Sequence, residues 1–370
     1  MTFPFLDRRK LHLKPLSERK NKIRFPADAV QPSSAPGALS SGAAATLPEV
    51  AQRVRAARAA GRPVMCAFGA HTIKNGLGPV LIELMRSGWV THLATNGAGI
   101  IHDWELAYQG STSEDVRDNI GRGEFGTWED TGRFINCALL VGAWEGLGYG
   151  QSVGALIANQ GLQLPSIHDL TAEVSRLLDT DPGRAAAGAD LLQAMRDFGL
   201  PEGRLQVPHP FARYSAQAAA WSAGIPFTGH PMIGHDIIYE HPLNSGAAVG
   251  RTALTDFLVF ADGVSRLEGG VYLSIGSAVM SPMIFEKSLS MARNISLQEG
   301  RTIEGHYICV VDIAESAWDW KRDGEPPMTD PAYYLRYCKT FSRMGGTMRY
   351  LQADNRDFLL SLLHALSSPR

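Results

Sequence analysis

The sequence predicts an α/β protein with a parallel sheet and helices on both faces, because two strand-turn-helix units follow one another from residue 64. In the first unit, Val64 to Phe68 is an apolar run typical of a buried strand, and a glycine-rich turn leads to the apolar helix Pro79 to Met85. In the second, a strand from Val90 to Ala94 passes through the turn Thr95-Asn96-Gly97-Ala98-Gly99 into a helix that includes Ile100 to Ala107. Successive units of this kind favour a parallel sheet.

The alternation of strands and helices resumes after residue 215. The predicted strands there are Ile225 to Thr228, Gly270 to Ile275, Tyr307 to Val311 and Arg349 to Gln352. The predicted helices are Ser215 to Ala223, Thr252 to Ala261, Pro282 to Arg293 and Asp357 to Leu366. Polar or small residues follow each strand, and ligands of α/β proteins gather at the carboxyl ends of the strands. We therefore expect the functional site at that edge of the sheet.

Composition divides the chain into an arm and a compact domain. Residues 1–46 are predicted to be a basic arm and a linker, since the first 25 residues carry eight Lys or Arg and residues 31–46 are rich in Pro, Ser, Gly and Ala. We expect the arm to be a solvated extension, although contact with an acidic partner or subunit would also explain its charge. Residues 47–370 are predicted to be one domain with a helical insertion at about 110–205. Helices predicted in the insertion are Glu114 to Ile120, Phe134 to Leu147 and Ser166 to Leu178.

The composition is that of a soluble globular protein, with 370 residues, 45% of them hydrophobic and 19% charged, and a net charge of -2. The absence of a basic surplus argues against nucleic-acid binding, and no apolar run approaches the roughly 18 residues of a membrane span. The four cysteines are far apart and form neither a zinc-binding nor a disulfide pattern, so we expect no metal. The N-terminus lacks the apolar core of a secretory signal, and we expect the protein in the cytoplasm.

The turn from Asn96 to Gly99 is a candidate anion site. A strand that ends in a glycine turn and opens a helix presents unpaired N–H groups to a ligand. An ordinary tight turn would have the same glycines, and the sequence leaves both readings open.

Five segments, taken in order, resemble deoxyhypusine synthase. Thr95 to Asp103 resembles the family's Thr-Ala-Gly-Gly turn, and Trp221 to Tyr239 resembles its strand and Gly-Asp-Met-Ile-Phe-Phe run. Leu273 to Asn294 resembles its Gly-Gly-Gly turn and following helix. Val311 to Glu315 and Gln352 to Asp354 fall where the family has Asn-Thr-Ala-Gln-Glu and Tyr-Ala-Asp. The resemblance covers roughly residues 60–100 and 215–365.

The resemblance implies a Rossmann-like, deoxyhypusine-synthase-like domain that binds NAD and assembles as a homotetramer with active sites at subunit interfaces. It further implies an NAD-dependent aminoalkyl transferase that oxidises spermidine or a related amine and passes the group through a lysine imine to an acceptor. The implied partners are a small-molecule amine and an acceptor protein. A lysine that attacks an imine must be neutral, which burial favours by lowering its pKa.

The resemblance also assigns site residues. Lys339 matches the catalytic lysine, with a surface lysine as the alternative, and Tyr337 matches a tryptophan that packs on the amine. Substrate contacts are expected from residues that could bind or deprotonate an amine: Asp319, Asp323, Asp330, Tyr337 and His102. NAD contacts are expected from Asn96, Gly97, Ala98, Gly99, Asp236, Gly276, Ser277, Ala314 and Asp354. The aspartates could instead lie in a solvated loop, and Asp354 could cap the last helix.

The sequence departs from the family pattern at positions that carry its chemistry. Ile101 and His102 stand where the family has two glutamates, its glycine turn is reduced to Gly276-Ser277, and the histidine expected after that turn is missing. His102, His230 or His235 could supply a base instead. Two other functions therefore remain open: a sirtuin-like deacylase or another NAD consumer, and a non-catalytic ligand-binding homologue.

Overall fold

The computed structural model describes residues 3–320 and 322–368. The strands are β1 (Ile23–Arg24), β2 (Val64–Phe68), β3 (His92–Asn96), β4 (Ser111–Thr112), β5 (Gly161–Leu164), β6 (Gly203–Gln206), β7 (Phe227–His230), β8 (Val271–Ile275), β9 (Tyr307–Asp312) and β10 (Thr347–Gln352). The first seven helices are α1 (Ser41–Ala59), α2 (Ala70–Lys74), α3 (Gly78–Arg86), α4 (Gly97–Gln109), α5 (Val116–Ile120), α6 (Glu129–Glu145) and α7 (Tyr149–Ala158). The others are α8 (Ile167–Leu177), α9 (Pro182–Phe198), α10 (Ala216–Ala223), α11 (Gly246–Ser265), α12 (Met280–Gln298), α13 (Arg336–Ser342) and α14 (Asn355–Ser367).

Six of the strands form a parallel sheet in the order β10-β9-β8-β2-β3-β7. The chain starts at β2 in the middle, adds β3 and β7 on one side, then crosses to β8 and adds β9 and β10 on the other. This is the doubly wound order of Rossmann-like folds, and it confirms the predicted fold class. The order reverses between β2 and β8, which is the point where such folds bind ligands.

Helices cover both faces of the sheet, as the sequence predicted. Strand β2 is buried along its whole length and sends alternate side chains to two separate cores. Val64, Cys66 and Phe68 pack in the core that contains α1, α3 and α14. Met65 and Ala67 pack in the core of α11, α12 and α13. A run that is apolar at every position therefore marks this strand as central.

One predicted strand is displaced in the structure. The sequence placed the second strand at Val90 to Ala94, whereas β3 begins at His92. The reason is that the backbone N–H of Val90 still donates to Leu84 in the last turn of α3, 3.1 Å away. The turn that follows α3 therefore extends to a later residue than the apolar pattern indicates.

The region predicted as a helical insertion contains α5 to α9 and two short strand pairs. Strand β4 pairs with β1 of the N-terminal arm, and β5 pairs with β6. Helix α7 was not predicted because Gly146 to Gly150 was interpreted as an interruption. Those glycines allow close packing: a Cβ on Gly148 would lie 1.7 Å from the Asp256 carboxylate, and one on Gly150 would lie 2.1 Å from the Phe227 carbonyl oxygen. The division into arm, insertion and domain stays a prediction.

The N-terminal arm packs against the body of the protein instead of extending into solvent. Arg8 donates to the carbonyl oxygen of Tyr239 at 2.7 Å, and Ile23 pairs with Thr112. Arg19 is only 6% exposed. The expectation of a solvated arm was therefore wrong, because local charge does not reveal acidic partners elsewhere in the chain. Within the described residues, no helix combines the length and apolar character that crossing a membrane requires.

Candidate functional site

The register of the sheet brings the ends of its six strands to one level. Phe68 of β2 pairs with Thr95 of β3 and Ile275 of β8, and the next residues along each strand line the carboxyl edge. Those edge residues are His230, Asn96, Gly69, Gly276, Asp312 and Gln352. Because Gly69 and Gly276 occupy the middle of this row, the centre of the edge has no side chains of its own.

The two central glycines lie at the point where the strand order reverses. A Cβ on Gly69 would lie 2.1 Å from the carbonyl oxygen of Gly276, so the two turns can approach only without side chains. Gly276 has a φ of +54°, a left-handed conformation that glycine adopts readily. Asn355 of α14 packs on Gly276 and donates to the Thr72 hydroxyl at 3.2 Å. The crevice therefore has a narrow backbone floor with an amide side chain at its centre.

The first turn of α4 is a close-packed helix start. The Asn96 side chain caps the helix by accepting from the backbone N–H of Gly99 at 2.9 Å. A Cβ on Gly97 would lie 2.1 Å from Oδ2 of Asp236. The sequence predicted this turn as a site for a ligand anion, but the carboxylate that lies against Gly97 belongs to the chain itself.

A cavity of about 190 Å³ opens beside this helix start. Helix α4 forms one wall through residues that include Ala98, Ile101 and His102, and the arm contributes Arg19. The remaining lining residues are Lys74, Glu105, Ser113, Glu114, Val116, Phe125, His235, Asp236 and Ile237. Five separate stretches of the chain therefore assemble the cavity.

Arg19 and two glutamates form a buried ionic wall of this cavity. Arg19 Nη1 donates to Oε1 of Glu105 at 2.8 Å, and it lies 3.9 Å from Oε1 of Glu114. Glu105 also accepts from the hydroxyls of Thr112 and Thr131. Burial alone would raise the pKa of Glu105, but the charge and hydrogen bonds of Arg19 lower it below its usual value. The charged groups of Arg19 and Glu105 are thus paired with other groups of the chain, and their ion pair holds the arm in place.

Asp236 is different because one of its carboxylate oxygens is buried without a partner. Among the described residues, none donates a hydrogen bond to Oδ2, and the hydroxyl groups of Tyr149 and Tyr239 are likewise unpaired. Burial raises the pKa of Asp236 to about 7, from an ordinary value of 3.8. A buried acid in the wall of a cavity is a candidate for binding a cation or accepting a proton.

Two of the three candidate histidines are held neutral by burial. His102 lines the cavity, shares a hydrogen bond with the Thr112 hydroxyl at 2.8 Å, and burial lowers its pKa to about 4. His230 is bonded to the Thr228 hydroxyl at 3.0 Å, and burial lowers its pKa to about 3. His235 is exposed at the cavity rim. Of the three, His102 and His235 lie where a ligand could reach them.

The predicted substrate residues near the C-terminus lie away from this cavity. Lys339 on α13 places its ammonium group over the Tyr333 ring, 3.5 Å from the centroid. Tyr337 is buried on the same helix, and its ring centroid lies 6.4 Å from that of Tyr350. In the part of the chain that the structure describes, no hydrogen bond or ion pair joins Lys339 to the turn at residues 96–99. The imine role of Lys339 stays a prediction.

The three predicted aspartates serve local structure in this region. Asp323 forms an ion pair with Arg322 at 2.7 Å. Asp330 caps a short helix by accepting from the backbone N–H of Ala332 at 2.8 Å, and Asp319 accepts from the N–H of Arg322 at 3.1 Å. Their predicted role in binding an amine is not tested by these contacts.

The other predicted NAD contacts lie along the carboxyl edge beyond the switch point. Ser277 accepts from the N–H of Ser281 at 3.2 Å, and Ala314 donates to Oδ1 of Asp312 at 3.1 Å. Asp354 caps α14, accepting from the N–H of Arg356 at 2.8 Å, and also lines a second cavity of about 540 Å³. Capping the last helix and contacting NAD, the two predicted roles of Asp354, are therefore compatible. The described residues contain no group of three or more His, Cys, Asp or Glu side chains that could hold a metal ion.

Sequence reasoning missed several residues of this edge. Lys74 lines both cavities, Arg19 and Glu105 form the ionic wall, and Asn355 fills the centre of the crevice. A signal existed for Lys74, since it lies in the turn of the first strand-turn-helix unit, directly after a strand of the predicted sheet. For Arg19 there was none, because its partner is 86 residues away in sequence.

Comparisons with known proteins find distant similarity. The chain matches no protein-family model and no curated protein. Among solved structures it is similar to AgrE in a ternary complex with ornithine and NAD+, with 16% identity and a TM-score of 0.46 over 89% of this chain and 34% of AgrE. It is also similar to ArgZ, an arginine dihydrolase from the ornithine-ammonia cycle in cyanobacteria, with 13% identity and a TM-score of 0.42 over 87% of this chain and 32% of ArgZ.

A third similar structure is a conserved putative LOR/SDH protein from Methanococcus maripaludis S2, with 13% identity and a TM-score of 0.40. It covers 89% of this chain and 69% of that protein. The chain spans about a third of the length of AgrE and ArgZ.

The prediction that the chain belongs to the deoxyhypusine synthase family was wrong. No model of that family matches, and the similar structures named above are AgrE, ArgZ and a LOR/SDH protein. The physical reason is that the shared turns, such as Asn96 to Gly99 and Gly276-Ser277, are what any doubly wound sheet needs at its carboxyl edge. The residues that would carry the family's chemistry are the ones that differ.

Proposed function

We propose that this chain is an NAD-dependent enzyme that acts on a small amine, with amino acids as the first candidates. The observation that carries the proposal is a combination at one edge of the sheet. The strand order reverses between two glycine turns at Gly69 and Gly276, and a cavity lined by the buried acid Asp236 lies at the same carboxyl edge.

The switch point supports NAD as the cofactor. In sheets of this order a dinucleotide lies across the crevice at the carboxyl ends, where glycines let its phosphates approach the backbone. Gly69 and Gly276 supply such an approach here. The turn after β2 reads Gly69-Ala70-His71-Thr72-Ile73-Lys74 and lacks the Gly-x-Gly-x-x-Gly pattern, so phosphate binding would depend on other groups.

The smaller cavity supports a small, positively charged substrate group. A cavity of about 150 Å³ can hold benzene, so about 190 Å³ accommodates a compact ligand. Asp236 lines this cavity, and an ammonium group of the substrate would pair with its carboxylate charge. An ammonium ion would also offset the cost of burying the carboxylate charge.

Asp236 would act on the amine before oxidation. When ionised, it accepts a proton from the substrate ammonium group, which leaves a neutral amine whose adjacent carbon can release a hydride. Bound NAD would supply the hydride acceptor. Because the pKa of Asp236 is about 7, its ionised fraction rises through neutral pH, and turnover is expected to rise with it. His102 remains neutral in this range and can share a hydrogen bond with the substrate.

The first test is calorimetry with NAD, followed by NADH fluorescence with a panel of amino acids and diamines that includes ornithine and arginine. We expect NAD binding and NADH formation with at least one amine. Binding without turnover across the panel would favour a ligand-binding homologue. Nicotinamide release with an acylated peptide would favour a sirtuin-like deacylase. No NAD binding up to millimolar concentration would refute the proposal.

The Asp236→Asn variant tests the assigned role. We expect kcat/KM for the amine to fall by about 10²-fold or more, because the amide keeps the shape but cannot accept the proton. Asp262→Asn is the matched control, since Asp262 is an exposed aspartate paired with Arg266 on α11. If Asp236→Asn turns over as fast as the control, Asp236 is not the proton acceptor.

A further inference from the structure

Lys74 lies between the two cavities at the carboxyl edge. It is the last residue of α2, the short helix that follows β2 at the switch point. Among the described residues, it is the one that lines both the cavity of about 190 Å³ and the cavity of about 540 Å³. A ligand that reached from one cavity to the other would pass this side chain.

Among the residues that the structure describes, none is a counter-ion for the ammonium group of Lys74. Across residues 3–320 and 322–368, no hydrogen bond or ion pair involves its Nζ atom, although the side chain is half-buried. Nearby lysines are paired: Lys14 with Glu124, and Lys22 with Asp115 at 2.8 Å. Burial and the charge of Lys22 lower the pKa of Lys74 below its ordinary value. The ammonium group of Lys74 is therefore available to pair with an anionic group of a ligand.

The larger cavity has the size and walls of a site for half a dinucleotide. Its volume of about 540 Å³ lies within the range of about 300–1,000 Å³ that small-molecule sites occupy. The turn of the N-terminal arm from 27 to 30 forms one wall, and Asn75, Asp354 and Arg356 form the other. Arg356 adds a second positive charge, and Asp354 adds oxygens that can accept hydrogen bonds from ribose hydroxyls.

We infer that Lys74 binds the pyrophosphate of the dinucleotide, with the adenosine half in the larger cavity and the nicotinamide half towards Ala98 and the smaller cavity. The inference rests on the proposed NAD dependence. A lysine binds phosphate as a point charge without the geometric demands of arginine. The turn after β2 lacks the glycine fingerprint that would otherwise hold the pyrophosphate, and its last residue, Lys74, would supply the phosphate binding instead.

The test compares ligand affinities of Lys74→Ala, Lys74→Arg and a control by calorimetry. Lys20→Ala is the control, because it removes the same charge from an exposed position of the arm. We expect Lys74→Ala to weaken NAD and ADP binding at least tenfold, with partial recovery in Lys74→Arg. Adenosine, which has no phosphate, should bind all four proteins alike. Circular dichroism and thermal melting establish that each variant is folded.

Three outcomes would contradict the inference in distinguishable ways. If wild type binds no NAD, the proposed function fails and the role of Lys74 fails with it. If wild type binds NAD and Lys74→Ala binds it as tightly as Lys20→Ala does, only the pyrophosphate role is wrong. If Lys74→Ala raises KM for the amine substrate and leaves NAD affinity unchanged, Lys74 instead binds a negative group of the substrate.

Discussion

Arg19 fastens the N-terminal arm through a buried ion pair. Its guanidinium group lies between Glu105 and Glu114 and is nearly inaccessible to water. Removing one member of a buried pair leaves the other charge unpaired, which typically costs 3–5 kcal/mol. The cost is not the net value of the pair, because forming it also required both groups to lose water.

We therefore predict that Arg19→Ala lowers the free energy of unfolding by about 3 kcal/mol. Arg9→Ala is the control: Arg9 is in the same arm, its side chain is 76% exposed, and its loss should change stability by less than about 0.5 kcal/mol. Urea unfolding of the two variants measures the difference. Equal stabilities would mean that the arm detaches at little cost.

The single residues that define the site illustrate what one sequence can reveal. Asn96 and Gly97 were predictable as a helix start, because a cap residue followed by glycines has a local signature. That Asp236 lies against Gly97 was not, because the two residues are far apart in sequence and only the packing of the fold brings them together. Local rules therefore located the turn but not the carboxylate that lies against it.

The glycine turns at the switch point make a prediction at the level of elements. Gly69→Ala places a methyl group 2.1 Å from the Gly276 carbonyl oxygen, which is backbone and cannot rotate away. Strands β2 and β8 would have to separate at their carboxyl ends, at a cost of about 1–3 kcal/mol. We expect weaker NAD binding as well, because the same approach is proposed to admit the phosphates.

Gly42→Ala is the control for this prediction. Gly42 lies in the first turn of α1, and a Cβ there would meet no atom within 4 Å. Alanine favours the helix over glycine by up to about 1 kcal/mol, so this variant should be as stable as wild type or slightly more so. Thermal melting compares the two. A Gly69→Ala protein with the same melting temperature as wild type would show that the two turns can separate freely.

Elements differed in how well the sequence predicted them. Strands β2, β8 and β9 were predicted within one residue at each end, because continuous apolar runs bounded by polar turns have few other interpretations. Helix α7 was missed because its glycines, which normally weaken helices, are required by neighbours from distant parts of the chain. In α7, the close packing that these glycines allow outweighs their low helix propensity.

Across the whole molecule, burial shifts two sets of titratable groups in opposite directions. It lowers the pKa of six histidines, to about 3 for His92 and His230, to about 4 for His102, His209 and His306, and below the ordinary value for His71. It raises the pKa of five acids, to about 7 for Asp236, Glu240 and Asp256, and above the ordinary value for Asp103 and Glu145. Both sets make the stability of the protein depend on pH between about 4 and 7.

On acidification the histidines and the acids change the stability of the fold in opposite directions, so the net change depends on how many groups each set contains. Below the ordinary histidine pKa of 6.5, histidines bind protons in the unfolded chain but stay neutral where they are buried in the fold. Acidification therefore favours the unfolded chain through these residues. The five acids bind protons in the folded state first, so acidification stabilises the fold through them. Because the histidines are more numerous, we predict a net loss of stability as the pH falls from about 6.5 to about 4.

Urea unfolding of wild type and two histidine variants across this pH range measures the prediction. In His230→Gln the amide can still bond to the Thr228 hydroxyl but cannot be protonated, so this variant should lose less stability on acidification than wild type. His12→Gln, which changes an exposed histidine of the arm, should follow wild type. A fold that gained stability on acidification would mean that the buried acids outweigh the histidines. In that case Asp256→Asn, which removes an acid that is 1% exposed, should abolish the gain.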